Sequence, residues 1–266
     1  MVPVSPLKIV QLTDTHLFRE RHQNLIGIPT AESLDNVVRQ VMQLPVMPDF
    51  ILLTGDVSQD GSLVSYEHVY ASLKVLDLPI YWLPGNHDCL ENMLPILTQA
   101  PFLGEKQFQR GNWQFILLNS QIPGDVPGYL SQETLDWLDR QLSQFIETPT
   151  ILSLHHPPFS LETDWLDNSA LQNPDDLFAV IDRHPQVKLV LFGHIHQEFQ
   201  IERNGVTYLA CPSTCIQFAQ GSATFALDDC SPGFRSVDLY PDGSWQSVVH
   251  RVSYDRQVDM ACHDGY

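Results

Sequence analysis

The chain has 266 residues, of which 43% are hydrophobic and 10% aromatic, the composition of a globular protein long enough to bury a large core. Its 14 basic residues face 32 acidic ones, a formal net charge of −18. That balance excludes a nucleic-acid polymer or an anionic membrane as a bulk partner, because both are held by Lys/Arg patches.

An anionic small molecule would need a local positive centre, which bound metal supplies. The five cysteines (Cys89, Cys211, Cys215, Cys230, Cys262) are irregularly spaced. Free thiols in a reducing compartment are expected rather than disulfides or a zinc ribbon. The first eight residues show no basic segment backed by an apolar one, and no apolar run approaches the ~18 residues of a membrane span. Cytoplasm is the expected location.

In chain order, Ile9–Leu12 is a short apolar run ending in Thr-Asp-Thr-His, a strand running into a loop. After a polar loop from Phe18 to Ile28, Thr30 is expected to cap a helix, with Leu34, Val37, Val38 and Val41 at helical spacing. Phe50–Leu53 reads as a second strand ending in Thr-Gly-Asp. Leu63, Tyr66, Val69, Tyr70 and Leu73 form a helical stripe, read as packing on a sheet. Ile80–Leu83 is a third strand, ending in Pro-Gly-Asn-His-Asp. Alternation of this kind indicates β-α-β architecture over a largely buried sheet.

Gln107–Asn119 reads as a hairpin turning at Arg-Gly-Asn, and Ser131 as the cap of a helix with Leu135, Leu138, Leu142 and Phe145 on one face. Thr150–Leu154 is a strand ending in His-His-Pro-Pro. A long loop, Phe159–Asn173, precedes a helix begun by Pro174. Val190–Phe192 ends a buried strand and runs into Gly193-His194-Ile195-His196. Gly193 is expected where a side chain would clash, and the two histidines, if the backbone stays extended, point the same way. Ile201–Leu209 is a hairpin turning at Asn204-Gly205, followed by short strands near Ala223–Leu227, Arg235–Tyr240 and Trp245–Arg251. The final third is β-rich. No linker or repeat divides the chain, so residues 1–266 are expected to form one domain with two sheets.

Five strand ends carry polar clusters: Asp14-Thr-His16, Gly55-Asp56, Gly85-Asn86-His87-Asp88, His155-His156 and Gly193-His194-Ile-His196. The carboxyl ends of strands in an α/β sheet border the crevice where chemistry collects. Two carboxylates, an amide oxygen and several imidazoles without thiolate suit Fe, Mn, Zn or Co. The set is too large for one tetrahedral zinc and fits two adjacent divalent ions. Asp14 and His16 would serve one ion, Asn86 and a strand-end His the other, with Asp56 between them. His194 and His196 would reach one ion each. Two such ions clamp a phosphoryl group for in-line displacement.

As a set these residues resemble the calcineurin-like metallophosphoesterases, whose pattern is D-x-H, G-D, G-N-H-[DE], a His before the last core strand, and G-H-x-H. Gln-Leu-Thr-Asp-Thr-His-Leu-Phe, Trp-Leu-Pro-Gly-Asn-His-Asp, Phe-Gly-His-Ile-His-Gln-Glu, Cys-Pro-Ser-Thr-Cys-Ile-Gln-Phe and Ala-Leu-Asp-Asp-Cys-Ser-Pro-Gly-Phe-Arg are similar to the bacterial class III 3',5'-cyclic AMP phosphodiesterases. The resemblance implies a four-layer αββα sandwich of the α/β class, two mixed sheets flanked by helices, with a dinuclear centre. It implies Asp14, His16, Asp56 and His196 on the first ion, and Asp56, Asn86, His155 and His194 on the second. His87 would be catalytic, and His16, Asp56, Asn86, His87 and His196 would meet the substrate. The residues alone leave His155 and His156 open, since adjacent side chains diverge; the resemblance points to His155.

The expected reaction is hydrolysis of cyclic AMP to the 5'-monophosphate by a hydroxide shared between two divalent ions, Fe and/or Mn, with Zn or Co also compatible. His87 would steady a non-bridging oxygen or protonate the leaving 3'-oxygen. Asp60 reads as a loop or capping residue, and the role of Asp88 is open. His22, His68, His184, His250 and His263 read as surface or structural residues. The alternatives are activity on glycerophosphodiesters, 2',3'-cyclic nucleotides or phosphomonoesters, and a metal-free interaction module on the same fold. Specificity is expected from the loops Phe18–Ile28 and Phe159–Asn173 and the segment Cys211–Phe218. The oligomeric state is left open, a homodimer included.

Overall fold

A computed structural model describes residues 5–254 and 258–262. In chain order its first strands are β1 (Leu7–Leu12), β2 (Asn24–Leu25), β3 (Ile28–Pro29), β4 (Phe50–Thr54), β5 (Ile80–Leu83), β6 (Phe102–Leu103), β7 (Gln107–Arg110) and β8 (Trp113–Leu117). They continue with β9 (Thr150–Ser153), β10 (Val187–Phe192), β11 (Phe199–Arg203), β12 (Val206–Ala210), β13 (Gln217–Phe218), β14 (Leu227–Asp228), β15 (Gly233–Leu239) and β16 (Trp245–Arg251). The helices are α1 (Thr30–Met42), α2 (Leu63–Leu73), α3 (Leu90–Leu97), α4 (Gln132–Gln144), α5 (Asp164–Asp167) and α6 (Pro174–Ile181).

Two six-stranded mixed sheets form, in the orders β16-β15-β1-β4-β5-β6 and β11-β12-β10-β9-β8-β7. In the first, β1, β4, β5 and β6 are parallel, and the C-terminal meander of β15 and β16 closes it antiparallel on β1. In the second, β12, β10, β9 and β8 are parallel between antiparallel edge strands β11 and β7.

Side chains alternate across each strand, and the alternation builds four layers. Phe50 and Leu52 of β4 join Tyr81, Leu83, Phe115, Ile151, Leu189 and Leu191 in the core between the sheets. Their neighbours Ile51 and Leu53 face outward onto Leu34, Val37 and Val41 of α1 and Tyr66 and Val69 of α2. On the other side Leu152, Val190 and Phe192 pack on Leu135, Leu138 and Leu142 of α4 and Leu177 of α6. Each such fully buried side chain contributes about 1.5–3 kcal/mol of transfer free energy. The result is the αββα sandwich expected.

Local differences have local causes. Thr30 does not cap α1: Pro29 stands at the cap position in extended conformation without a side-chain bond, and Thr30 is the first helical residue. Helix α3 was not foreseen, since Pro95 interrupts its eight residues. The expected 159–173 loop contains the single turn α5. The strand expected over Ala223–Leu227 shrinks to Leu227–Asp228, because its partner β13 offers two residues. The Asn204-Gly205 turn forms with both φ positive, 52° and 78°, as a two-residue hairpin loop requires. Among the described residues no helix is long and apolar enough to cross a membrane, and all five cysteines are free thiols.

Candidate metal centre

Every expected motif follows a parallel strand: Asp14 and His16 after β1, Asp56 after β4, Asn86 and His87 after β5, His155 after β9, His194 and His196 after β10. The loops are stitched together by main-chain bonds. Asp14 N–H donates to Gly55 O and His16 N–H to Asp56 O, both at 3.0 Å. Across the sheets, His194 N–H reaches the Asp14 carboxylate at 3.1 Å. Gly85 and Gly193 permit this closeness: a Cβ on Gly85 would strike the Asp56 carboxylate, and one on Gly193 the Thr13 hydroxyl.

The backbone at the ligand candidates is not extended. Asp14 (φ 54°), His16 (48°), Asp56 (47°), His194 (71°) and His196 (48°) lie in the left-handed region, which costs an L-residue of order 1–3 kcal/mol and concentrates at functional sites. This corrects the expectation of parallel imidazoles on an extended His194-Ile-His196. The turned backbone sends the rings apart, His194 to Asn86 and His155, His196 to Asp14 and His16.

The outer nitrogen of four histidines is tied, and the ties fix where the protons lie. His155 Nδ1 donates to Thr54 O and His196 Nδ1 to Ile216 O, each at 2.9 Å; carbonyls only accept. His16 Nδ1 lies 2.6 Å from Gln59 Oε1. His194 Nε2 lies 2.8 Å from Ser169 Oγ, whose own proton goes to Leu166 O. Each remaining nitrogen then presents a lone pair inward, to another acceptor. His16 Nε2 and His196 Nε2 stand 3.1 Å apart, and His194 Nδ1 is 3.0 Å from Asn86 Oδ1. His155 Nε2, buried without a well-formed hydrogen bond, is 3.1 Å from Asp56 Oδ2 and 3.9 Å from Asp14 Oδ1. A buried acceptor facing an acceptor costs about 1–3 kcal/mol. A divalent cation between them turns that cost into ligation, with the outer bonds orienting the rings.

The pKa pattern agrees. Burial pushes His16 down to about 3 and His194 well below the usual imidazole range, so both are neutral donors at pH 7. At His155 burial also lowers the value, but Asp56 and Asp14 outweigh it and lift the pKa to about 9. That position demands positive charge, whether proton or metal ion. Four overlapping groups in the cluster could hold an ion: Asp14, His16 and His196; Asp14, Asp56 and His155; His16, Asp56 and His87; and His155, His156 and His194. Asp56 Oδ2 lies between His155 at 3.1 Å and His16 at 3.9 Å, within reach of both.

The remaining candidates have structural posts. His156 is tied at both nitrogens, to Ser120 Oγ (2.8 Å) and Val126 O (3.0 Å), so His155 is the one that faces the carboxylates. Asp88 accepts from the main-chain N–H of Gly85 (2.9 Å), Ser58 (3.0 Å) and Val57 (3.1 Å), bracing the Asp56 loop against the Asn86 loop. Burial and the Asp56 charge raise its pKa to about 6. Asp60 caps a turn, accepting from Arg19 N–H and Ser62 N–H. His68, His184 and His250 bond Arg19 O, Asp139 and Ser236, and His263 lies outside the described residues. Gln59 holds His16, while Ser169 and Phe218, from the 159–173 and 211–218 segments expected to set specificity, hold His194 and stack on His196 (4.1 Å, 11°). No motif marks these contacts. The Cys211–Phe218 segment supports the centre from below: Ser213 Oγ donates to Asp14 O at 2.7 Å, while burial pushes the Cys211 and Cys215 thiols up to about 12.

A cleft of about 260 Å³ opens onto the cluster, lined by Asp56, Asn86, His87 and His194 on one wall and Val126, Trp165, Leu166, Phe218 and Phe225 on another. Of the residues expected to meet substrate, Asp56, Asn86 and His87 line it; His16 and His196 are fully buried behind and do not. Loop Phe18–Ile28 contributes nothing to the lining, contrary to expectation. Its Arg21 pairs instead with Asp35 at 2.6 Å.

A four-layer sandwich with Asp, Asn and His converging at the carboxyl ends of both sheets defines a metallophosphoesterase-type hydrolase. The profile of the Calcineurin-like phosphoesterase family matches residues 7–198, and the chain belongs to that family. It is 50% identical, over 96% of either chain, to a 3',5'-cyclic-nucleotide phosphodiesterase of Nostoc sp. strain PCC 7120. It is 44% identical to the 3',5'-cyclic adenosine monophosphate phosphodiesterase CpdA of Pseudomonas aeruginosa, over 92% of this chain and 89% of that one. Among solved structures, a dimetal phosphatase from Danio rerio superposes with a TM-score of 0.66 at 15% identity, covering 94% of this chain and all of that one. A purple acid phosphatase from yellow lupin superposes at 0.65 and 14%, covering 95% of this chain and 53% of that one. These two share the fold.

Proposed function

We propose that the chain hydrolyses 3',5'-cyclic AMP to the 5'-monophosphate with two divalent ions. The observation that carries the reading is the convergence of four inward imidazole lone pairs on Asp14, Asp56 and Asn86 in one buried cluster. Asp14, His16, Asp56 and His196 are assigned to one ion, and Asp56, Asn86, His155 and His194 to the other. Bound there, the ions supply Lewis acidity and an activated water. The mixed N/O donor set suits Fe and Mn, with Zn or Co compatible.

His87 stands beside Asn86 in the cleft wall, its main-chain N–H bonded to Asp56 Oδ1 at 2.9 Å. We assign it to steady a non-bridging oxygen and to pass a proton to the leaving group. In the net reaction a water oxygen bonds phosphorus, the bond from phosphorus to the 3'-oxygen breaks, and one proton ends on that oxygen. Among the described residues no Lys or Arg lines the cleft, so attraction for the substrate falls to the ions, offset by only two carboxylates. A singly charged diester suits such a site. The substrate itself is supported by the names of the relatives, aligned over nearly the whole chain.

The shared inter-sheet core supports reading residues 1–266 as one domain, and the free thiols fit a cytoplasmic location. The test is an assay of Mn- or Fe-loaded protein on 3',5'-cyclic AMP, 2',3'-cyclic AMP, a glycerophosphodiester and p-nitrophenyl phosphate. The highest kcat/KM is expected on 3',5'-cyclic AMP, with 5'-AMP as product. Preference for another substrate would overturn the specificity; inertness on all four with metal bound would overturn the enzyme.

A further inference from the structure

We infer that Trp165 and Phe225, backed by Phe218, form a subsite for the nucleobase of the cyclic nucleotide. The inference rests on the phosphodiesterase reading and adds what recognises the part of the substrate that the ions do not touch.

Three observations carry it. First, the aromatic wall and the cluster share one cleft, so a phosphate held at Asp56, Asn86 and His194 leaves its substituent facing Trp165, Leu166, Phe218 and Phe225. Second, the wall is rigidly indexed to the cluster. Phe218 lies flat on the His196 ring at 4.1 Å, and Trp165 and Phe225 pack edge-on against Phe218 at 4.9 and 5.7 Å and against each other at 5.2 Å. A further tie runs along the main chain from Trp165 to Ser169, whose hydroxyl holds His194 at 2.8 Å. Third, Phe218 is buried whereas Trp165 and Phe225 are only half-buried, leaving aromatic surface for a ligand.

Chemistry narrows the occupant. Among the described residues the lining beyond the cluster is apolar and aromatic apart from Ser169, whose hydroxyl is engaged by Leu166 O and His194, and includes no Lys or Arg, so the group it takes is uncharged and planar rather than a second phosphate. Stacking on aromatic side chains is the sequence-tolerant way proteins hold a base. Glycerol or a simple alkyl ester offers no π-face.

The test compares cyclic AMP with trimethylene phosphate, the same six-membered cyclic diester without ribose or base, followed by phosphorus NMR on metal-loaded protein. The quantity read is the ratio of the two kcat/KM values. In Trp165→Ala the ratio is expected to fall about tenfold, the scale of one lost base stack, chiefly through KM for cyclic AMP, with two metal ions per chain still bound. Phe225→Ala, on a separate segment, is expected to lower the ratio in the same direction. Equal loss on both substrates, or no loss on either, in both metal-replete variants would overturn the subsite while the functional reading stands. A wild-type protein that cleaves trimethylene phosphate but not cyclic AMP would overturn both.

Discussion

The two walls of the cleft are built differently. The cluster wall (Asp56, Asn86, His87, His194) consists of residues within a few positions of strand ends, and with Asp14, His16 and His196 buried behind it, five of these seven sit in strained backbone: Asp14, His16, Asp56, His194 and His196 have positive φ. The facing wall is drawn from a short helical turn (Trp165, Leu166), a two-residue strand (Phe218) and an irregular segment (Phe225), ordinary apolar side chains of which Trp165 and Phe225 are half-buried. One wall has a chemical requirement that few side chains meet; the other needs only shape and an aromatic face. Changes to the first should abolish activity, and changes to the second should redirect it.

The largest expected effect is Asp56→Ala. Losing the carboxylate that lies between His155 and His16 should remove both ions, by elemental analysis, and lower kcat/KM by roughly a thousandfold or more; retention of two ions would count against a bridging role. His87→Ala should keep both ions and lose about 10²–10⁴ in kcat, the scale of general acid catalysis; loss of metal in that variant would move His87 into the ligand set. Ser169→Ala is the residue that joins the walls. Freeing the His194 Nε2 proton should weaken metal binding about 10–100-fold, read as a raised Mn requirement with kcat recovered at saturating metal. An unchanged requirement would disconnect the two walls.

The smallest effect is a control outside both walls. Lys106 donates to Trp82 O at 2.6 Å, and burial lowers its pKa to about 8. Between pH 8 and 10.5 the unfolded chain holds this proton and the folded chain does not, so stability should rise with pH through that window, by on the order of 1 kcal/mol. Lys106→Met should abolish that rise in denaturant melts without changing metal content.

The same contrast explains what could be read in the sequence. The sandwich was legible because buried strands such as Phe50–Leu53 and helical stripes such as Leu34–Val41 carry strong periodicity, and the cluster because metal ligation admits few residue types at short spacings. The extended geometry expected for His194 and His196 failed, because left-handed φ at non-glycine residues leaves no periodic mark. The contacts of Gln59, Ser169 and Phe218 with the histidines were illegible for another reason: they exist only once distant loops meet, as when Ser169 reaches His194 across 25 positions. Phe225 was hidden in an alternating run read as a strand, where only Leu227–Asp228 found a partner.

Inward lone pairs and two carboxylates form a site for a pair of cations. Titrating Mn into chelator-stripped wild-type protein, while following bound metal and cyclic AMP hydrolysis in the same sample, tests it most directly. Two equivalents per chain should bind, with 5'-AMP formation appearing as the second site fills. Full activity in the stripped protein, or saturation at one equivalent, would contradict it.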